Sequence, residues 1–188
     1  MNSPVKYGLA NSYDRLYSLS MPTETFKQYE RRLLGYLGKQ DPIKVQRATP
    51  GKLERLIKGV PRKKLTKRPA PGKWSVLKIL AHLADVELAM GWRYRSIISR
   101  LGVKIMAYNQ EDWARDFKYG RQDATKALSL FRALRENNLM LLRMVSRQKL
   151  KSGYGIHEER GKQTVMDFVE LLAGHDLNHL MQIKRLLN

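Results

Sequence analysis

A chain of 188 residues with 43% hydrophobic content suits one compact domain and leaves little room for two cores. It has no cysteine, which excludes disulfides, thiolate metal sites, iron–sulfur clusters and a thiol nucleophile. The formal net charge of +19 admits anionic partners, but the charge is spread: residues 1–73 carry 17 Lys+Arg against 5 Asp+Glu, and residues 74–188 carry 19 against 12. Charged residues interrupt every apolar run before the roughly 18 residues a membrane span needs. The N-terminus lacks the apolar stretch of a secretory signal, so a cytoplasmic protein is expected.

Along the chain, residues 1–22 form a polar extension holding Tyr7, Tyr13 and Tyr17, and residues 23–188 form the domain. Pro22-Thr23 opens a helix to about Leu37, with Phe26, Tyr29, Leu33, Leu34 and Leu37 on one stripe and Gly38 at its end. Thr49-Pro50 reads as an N-cap and first helical position for a short segment carrying Leu53, Leu56, Ile57 and Val60. The basic run from Arg62 to Arg68 falls in a breaker-rich connection and reads as a solvated loop. Ser75 caps a long helix to about Leu101. Residues 102–120 are irregular or short-helical. A third long helix covers about Asp123 to Gln148, residues 151–163 form a loop with three glycines, and Thr164 starts the last helix. No two-residue alternation persists, so no strands are expected. Four substantial helices joined by moderate loops indicate an all-α four-helix bundle.

The chemistry concentrates on histidine. His175 and His179, four apart, share one face of the last helix, and their neighbours Phe168, Leu171, Leu172 and Ile183 turn that face inward. Two buried imidazoles need partners, which carboxylates, water or one shared metal ion can supply. His82 lies mid-helix among apolar residues, and a neighbouring bundle helix can bring it to the pair. Three histidines with an open position are a ligand set of catalytic zinc, and neutral imidazole also suits Ni, Fe or Cu.

Asp85, Glu87, Asp176 and Asn178 are candidates to orient the imidazoles, or are simply solvated or capping groups. Asp176 points about 100° away from His175, which favours a contact with another helix. His157, beside Glu158 and Glu159, reads as a surface loop histidine. Trp74 reads as a packing anchor at the start of the His82 helix. Trp92, ten residues beyond His82 and about 15 Å along the axis, is too far for metal chemistry. Tyr108 and Trp113 either line a pocket mouth or fill the core.

The segment Pro69–Val76, followed by Ile79–Glu87, resembles the signature of the DinB/YfiT-like metalloprotein superfamily. Tyr108–Ala114 resembles its middle motif, and Leu171–Leu180 its second metal-binding motif; the likeness covers about residues 24–188. It implies a bundle of up-down-down-up connectivity, a divalent-metal site (zinc or nickel foremost) on His82, His175 and His179, and a homodimer. Members include bacillithiol and other low-molecular-weight-thiol transferases, maleylpyruvate isomerase-like enzymes, and proteins known only as metal-dependent hydrolases.

Three functions follow as expectations, two of them on a small-molecule substrate. In thiol S-transfer, the metal activates a low-molecular-weight thiol, which suits a chain without cysteine. In hydrolysis, the metal activates water and a carboxylate serves as base, with Asp85, Glu87, Glu158 and Glu159 as candidates. The third is a nucleic-acid or anionic-surface module with a non-catalytic metal. It rests on the net charge and on Arg93, Arg95, Arg100 and Lys104, without zinc-finger, RNP-like or KH-like spacing.

Overall fold

The computed structural model describes residues 24–188; the predicted N-terminal extension, its three tyrosines and the Pro22-Thr23 helix start lie outside them. Within them α1 spans Phe26–Leu37, α2 Pro42–Ile57, α3 Arg62–Thr66 and α4 Val76–Ser99. Then come β1 Val103–Ile105, α5 Gln110–Asp116, a 3-10 turn Tyr119–Arg121, α6 Ala124–Arg143 and α7 Arg147–Ser152. Strands β2 Tyr154–His157 and β3 Gly161–Thr164 lead into α8 Val165–Leu187. No helix among the described residues is long and apolar enough to cross a membrane.

Local sequence sets the helix starts. Thr25 caps α1 in a reciprocal box with Gln28, and Thr164 caps α8 in the same way with Asp167. Ser75 accepts from the Lys78 N–H at the head of α4, and Asp123 accepts from Lys126 at the head of α6. These match the predicted starts at Ser75, Asp123 and Thr164.

The second helix differs from its prediction. Its cap is Asp41, with Pro42 at the first position, and Pro50 sits in its interior. Proline lacks the N–H that would bond the carbonyl four residues earlier, at Gln46. The buried Arg135 Nη1 donates to that carbonyl at 2.8 Å instead, so a contact from another helix replaces the missing rung. The basic run is also not a loop: residues 62–66 form the one-turn helix α3, with Leu65 buried.

Helices α2, α4, α6 and α8 make the bundle. Helix α4 packs on α6 and α8, α2 packs on the same two, and α1 lies along α8. The links α2 to α4 and α6 to α8 therefore cross the bundle diagonal. At the α1–α8 crossing, a Cβ on Gly174 would stand 2.2 Å from the Leu33 carbonyl oxygen, so only glycine permits that approach.

Two apolar clusters fill the interior. One gathers Leu53, Val76, Leu80, Leu83, Phe131 and Ile183; the other gathers Val86, Tyr94, Ile97, Leu139, Phe168 and Leu172. Along every bundle helix a polar layer falls between them. Arg135 on α6 donates to Asp176 on α8 at 2.6 and 3.1 Å, to Glu87 on α4 at 2.8 Å, and to the Gln46 carbonyl on α2. Asn138 donates to the second Glu87 oxygen at 2.9 Å, and Gln46 Nε2 to the Val169 carbonyl at 2.7 Å. One guanidinium thus ties four helices in a fixed register.

The expectation of no strands is corrected. Strand β2 pairs parallel with β1 and antiparallel with β3. Strands of three and four residues are too short to show alternation, and their glycines read as loop. Gly155 instead marks a close approach, since a Cβ there would meet Ile105 Cγ1 at 2.7 Å and the Val103 oxygen at 2.9 Å. The sheet places His157 and, in the β2–β3 turn, Arg160 against the bundle.

Candidate metal centre

His82 from α4 and His175 and His179 from α8 meet at one point. His175 Nε2 lies 3.1 Å from His82 Nε2 and 3.1 Å from His179 Nε2. All three side chains are buried, and this is the metal-compatible cluster of such groups among the described residues. The sequence logic is visible in the outcome: the i, i+4 pair supplies two nitrogens from one helix face, and the α4–α8 packing supplies the third.

Three ring nitrogens facing one another cannot all be satisfied as hydrogen-bond partners, because each neutral ring has a single N–H. The Gln182 Oε1 lies 2.9 Å from His179 Nδ1 and accepts a hydrogen bond from its N–H, which leaves a lone pair on Nε2 at the convergence point. His175 Nδ1 is buried without a partner. Burial first, and the neighbouring imidazoles second, push the His82 and His175 pKa values well below the ordinary histidine range. Burial likewise lowers His179, to about 4, against the opposing effects of Gln182 and Asp176. Neutral rings are the ligating form. Nitrogens about 2.0–2.1 Å from one tetrahedral ion stand about 3.3 Å apart, close to the observed 3.1 Å. The donor set fits a divalent ion.

The cluster opens on a cavity of about 190 Å³. Trp74 forms part of its wall: the indole meets the His82 ring edge-on, with centroids 4.9 Å apart, and donates its N–H to Glu111 Oε1 at 2.7 Å. Glu111 sits in the first turn of α5, where Asn109 accepts from its backbone N–H at 2.9 Å and the helix N-terminus favours an acidic residue. Glu111 was inside the Tyr108–Ala114 motif, yet nothing in its spacing marked it. Its importance comes from Trp74, 37 residues away.

The carboxylates nominated from sequence stand elsewhere. Glu87 is fully buried and bound to Arg135 and Asn138, and Asp85 accepts from the Tyr119 hydroxyl. Asp176 makes the interhelical contact its direction implied, with Arg135. Asn178 lines the cavity and accepts from Arg32 at 3.2 Å. Glu158 accepts from the Ala107 backbone at 2.9 Å, and both it and Glu159 are exposed. None of Asp85, Glu87, Glu158 and Glu159 lines the cavity.

His157 corrects its reading as a surface residue: it is 1% exposed and lines the cavity. Burial, then Arg160 and Arg93, lower its pKa to about 3. Tyr108 lines the cavity and stacks on Trp113 with centroids 4.2 Å apart, while Trp92 is exposed.

The chain matches the family model of the DinB superfamily over residues 47–183, which include all three histidines. It belongs to the DinB superfamily. Among its DinB relatives is the Bacillus subtilis protein named "Putative metal-dependent hydrolase YfiT", 23% identical over 90% of this chain and 94% of that one. An Oceanobacillus iheyensis protein with the same description is 25% identical over 64% of this chain and 68% of its own length. The solved structure of YfiT, described as "a probable metal-dependent hydrolase with an unusual four-helix bundle topology", superimposes with a TM-score of 0.72. It is 21% identical and covers 88% of this chain and 90% of that one. The fold is therefore shared with YfiT.

Four buried neutral histidines set a pH dependence for the metal-free protein. Each has a folded pKa below its unfolded value near 6.5, so its contribution is fully present above that pH. It is lost as pH falls through about 6.5 towards about 4 for His179 and about 3 for His157. The slope reaches about 1.4 kcal/mol per pH unit for each histidine. Urea unfolding of chelator-treated protein is expected to show a loss of at least about 2 kcal/mol between pH 7.5 and 5; a flat profile would contradict it.

Proposed function

We propose that the protein is a metal-dependent hydrolase of small molecules, with a divalent ion on His82, His175 and His179 and Glu111 as the general base. The supporting observation is the convergence of three buried imidazole Nε2 atoms on a cavity whose wall carries Glu111, held by the same Trp74 that meets the His82 ring. An ion held there supplies Lewis acidity, polarising a substrate carbonyl or phosphoryl oxygen and acidifying a protic group beside it.

The chain's own residues do the rest. Glu111 accepts the proton of the attacking group, and the Trp74 N–H fixes which carboxylate oxygen stays free for it. Gln182 keeps the His179 proton on Nδ1. Val86, Met90, Leu171 and Leu172 make the wall apolar, which strengthens every polar contact inside. At about 190 Å³ the cavity is smaller than the roughly 300–1,000 Å³ of drug-sized sites, so a small substrate fits best.

Replacing Glu111 by glutamine keeps the shape and the Trp74 contact while removing the base. With 4-nitrophenyl acetate as probe, E111Q is expected to lose about 100-fold or more in kcat at unchanged metal content. Equal rates in wild type and E111Q would exclude Glu111, and equal rates with and without metal would exclude the hydrolase reading.

A second reading, thiol S-transfer with a low-molecular-weight thiol at the same ion, is favoured by the absence of cysteine from the chain. A small thiol such as 2-mercaptoethanol should then change the visible spectrum of cobalt-loaded protein, and no change removes this reading. The nucleic-acid reading has less support, since of the arginines on α4 thought to form its surface, Arg93 is buried at the cavity end.

A further inference from the structure

A groove lies on the far side of α8 from the three histidines. Leu177, Leu180, Met181 and Lys184 line it at spacings of three, one and three residues. At about 100° per residue, these four centre about 170° around the helix from His175 and His179. From α2 come Lys52, Arg55 and Leu56, and Tyr36 of α1 completes the lining. The groove has a volume of about 490 Å³, within the roughly 300–1,000 Å³ of small-molecule sites.

Its floor is apolar and its charge is of one sign. Leu56 and Leu180 are half-buried and pack against the core cluster around Leu80 and Phe131, and Leu177 packs against Leu37, Val45 and Ala173. Met181 and Tyr36 remain 40% and 38% exposed. An alkyl chain laid across these side chains removes their apolar surface, and its own, from water. Lys52, Arg55 and Lys184 bring three positive charges, and no carboxylate side chain lines the groove. None of the three makes an ion pair among the described residues, where the ion-paired cations are Arg32, Arg115, Arg132 and Arg135. Arg55 and Lys184 are exposed, so an arriving anion meets them without breaking an ion pair.

Charge decides the occupant. A second copy of this chain brings a net +19 to a rim that is already positive. Residues 1–22 carry Lys6 and Arg15 against Asp14 and offer no acidic run. We propose that the groove binds a free fatty acid, with its alkyl chain on Leu56, Leu177, Leu180 and Met181 and its carboxylate among Lys52, Arg55 and Lys184. The apolar floor takes the chain, and the unpaired cations take the headgroup. This site is separate from the metal centre and stands whatever the three histidines do.

Calorimetric titration of the full-length protein with decanoate, decyltrimethylammonium and acetate, each below its micelle concentration, tests the groove. Wild type is expected to bind decanoate at least tenfold more tightly than either of the others. R55Q/K184Q should weaken decanoate binding at least fivefold, and M181E, which sets an acid on the apolar floor, at least tenfold. K149Q/K151Q, which removes the same charge from exposed positions on α7, should stay within twofold of wild type. An equal loss in K149Q/K151Q would reduce the effect to net charge, and undiminished binding in R55Q/K184Q or M181E would place the ligand elsewhere. Either result would overturn the groove, as would no decanoate binding at millimolar concentration. A dimer that M181E dissociates and decanoate leaves intact would give this face to a second copy and overturn it too.

Discussion

Replacing Arg135 by methionine is expected to destabilise the protein by about 3–5 kcal/mol, because it leaves two carboxylates buried without their cation. Glu87 and Asp176 are both fully buried, and both pair with this one guanidinium. The Gln46 carbonyl, already without its helical partner because of Pro50, loses its substitute donor too. In a chain of this size that corresponds to a fall in Tm on the order of 10 °C. Urea denaturation measures it directly. A triple variant, E87Q/R135M/D176N, removes the stranded charges and should recover part of the loss. A loss under about 1 kcal/mol in R135M would mean that the polar layer contributes little. The layer also bears on function, since Asp176 follows His175 directly and Glu87 lies five residues beyond His82. Registering α4 against α8 through Arg135 is what brings the third imidazole to the other two.

Metal removal should have an effect of similar size. A ligand that binds only the folded state stabilises it by RT ln(1 + [L]/Kd), about 4 kcal/mol at a thousandfold excess over Kd. Zinc-loaded protein at pH 7.5 is therefore expected to melt on the order of 10 °C above chelator-treated protein. The difference should shrink as pH falls below about 6.5, where protons compete for the imidazoles. In H175A the metal should confer little or no shift. An equal shift in H175A would assign the stabilisation to some other site.

Much of this arrangement is legible before folding. Pro, Gly and the Ser75, Asp123 and Thr164 caps mark the helix starts, because capping is a local matter of one side chain and two or three backbone N–H groups. The His175–His179 pair follows from helix periodicity alone. His82 needs the packing of α4 on α8, which the sequence suggests only through the bundle and the family likeness. What stays hidden depends on distant contacts. Pro50 reads as a helix start because its remedy, Arg135, lies 85 residues away. Gly155 reads as loop because its close neighbour is Ile105. Glu87 looks available until Arg135 and Asn138 are seen to hold it, and Glu111 looks ordinary until Trp74 is seen beside His82. His157 and Arg160 belong to a hairpin whose strands are too short to announce themselves.

Under the proposed function, His82, His175 and His179 hold one divalent ion. Metal analysis of the purified full-length protein beside H82A, H175A and H179A, all dialysed against the same buffer, tests it most directly. About one ion per chain is expected in wild type and less than about a tenth of that in each variant. Equal metal content in wild type and H179A would contradict it.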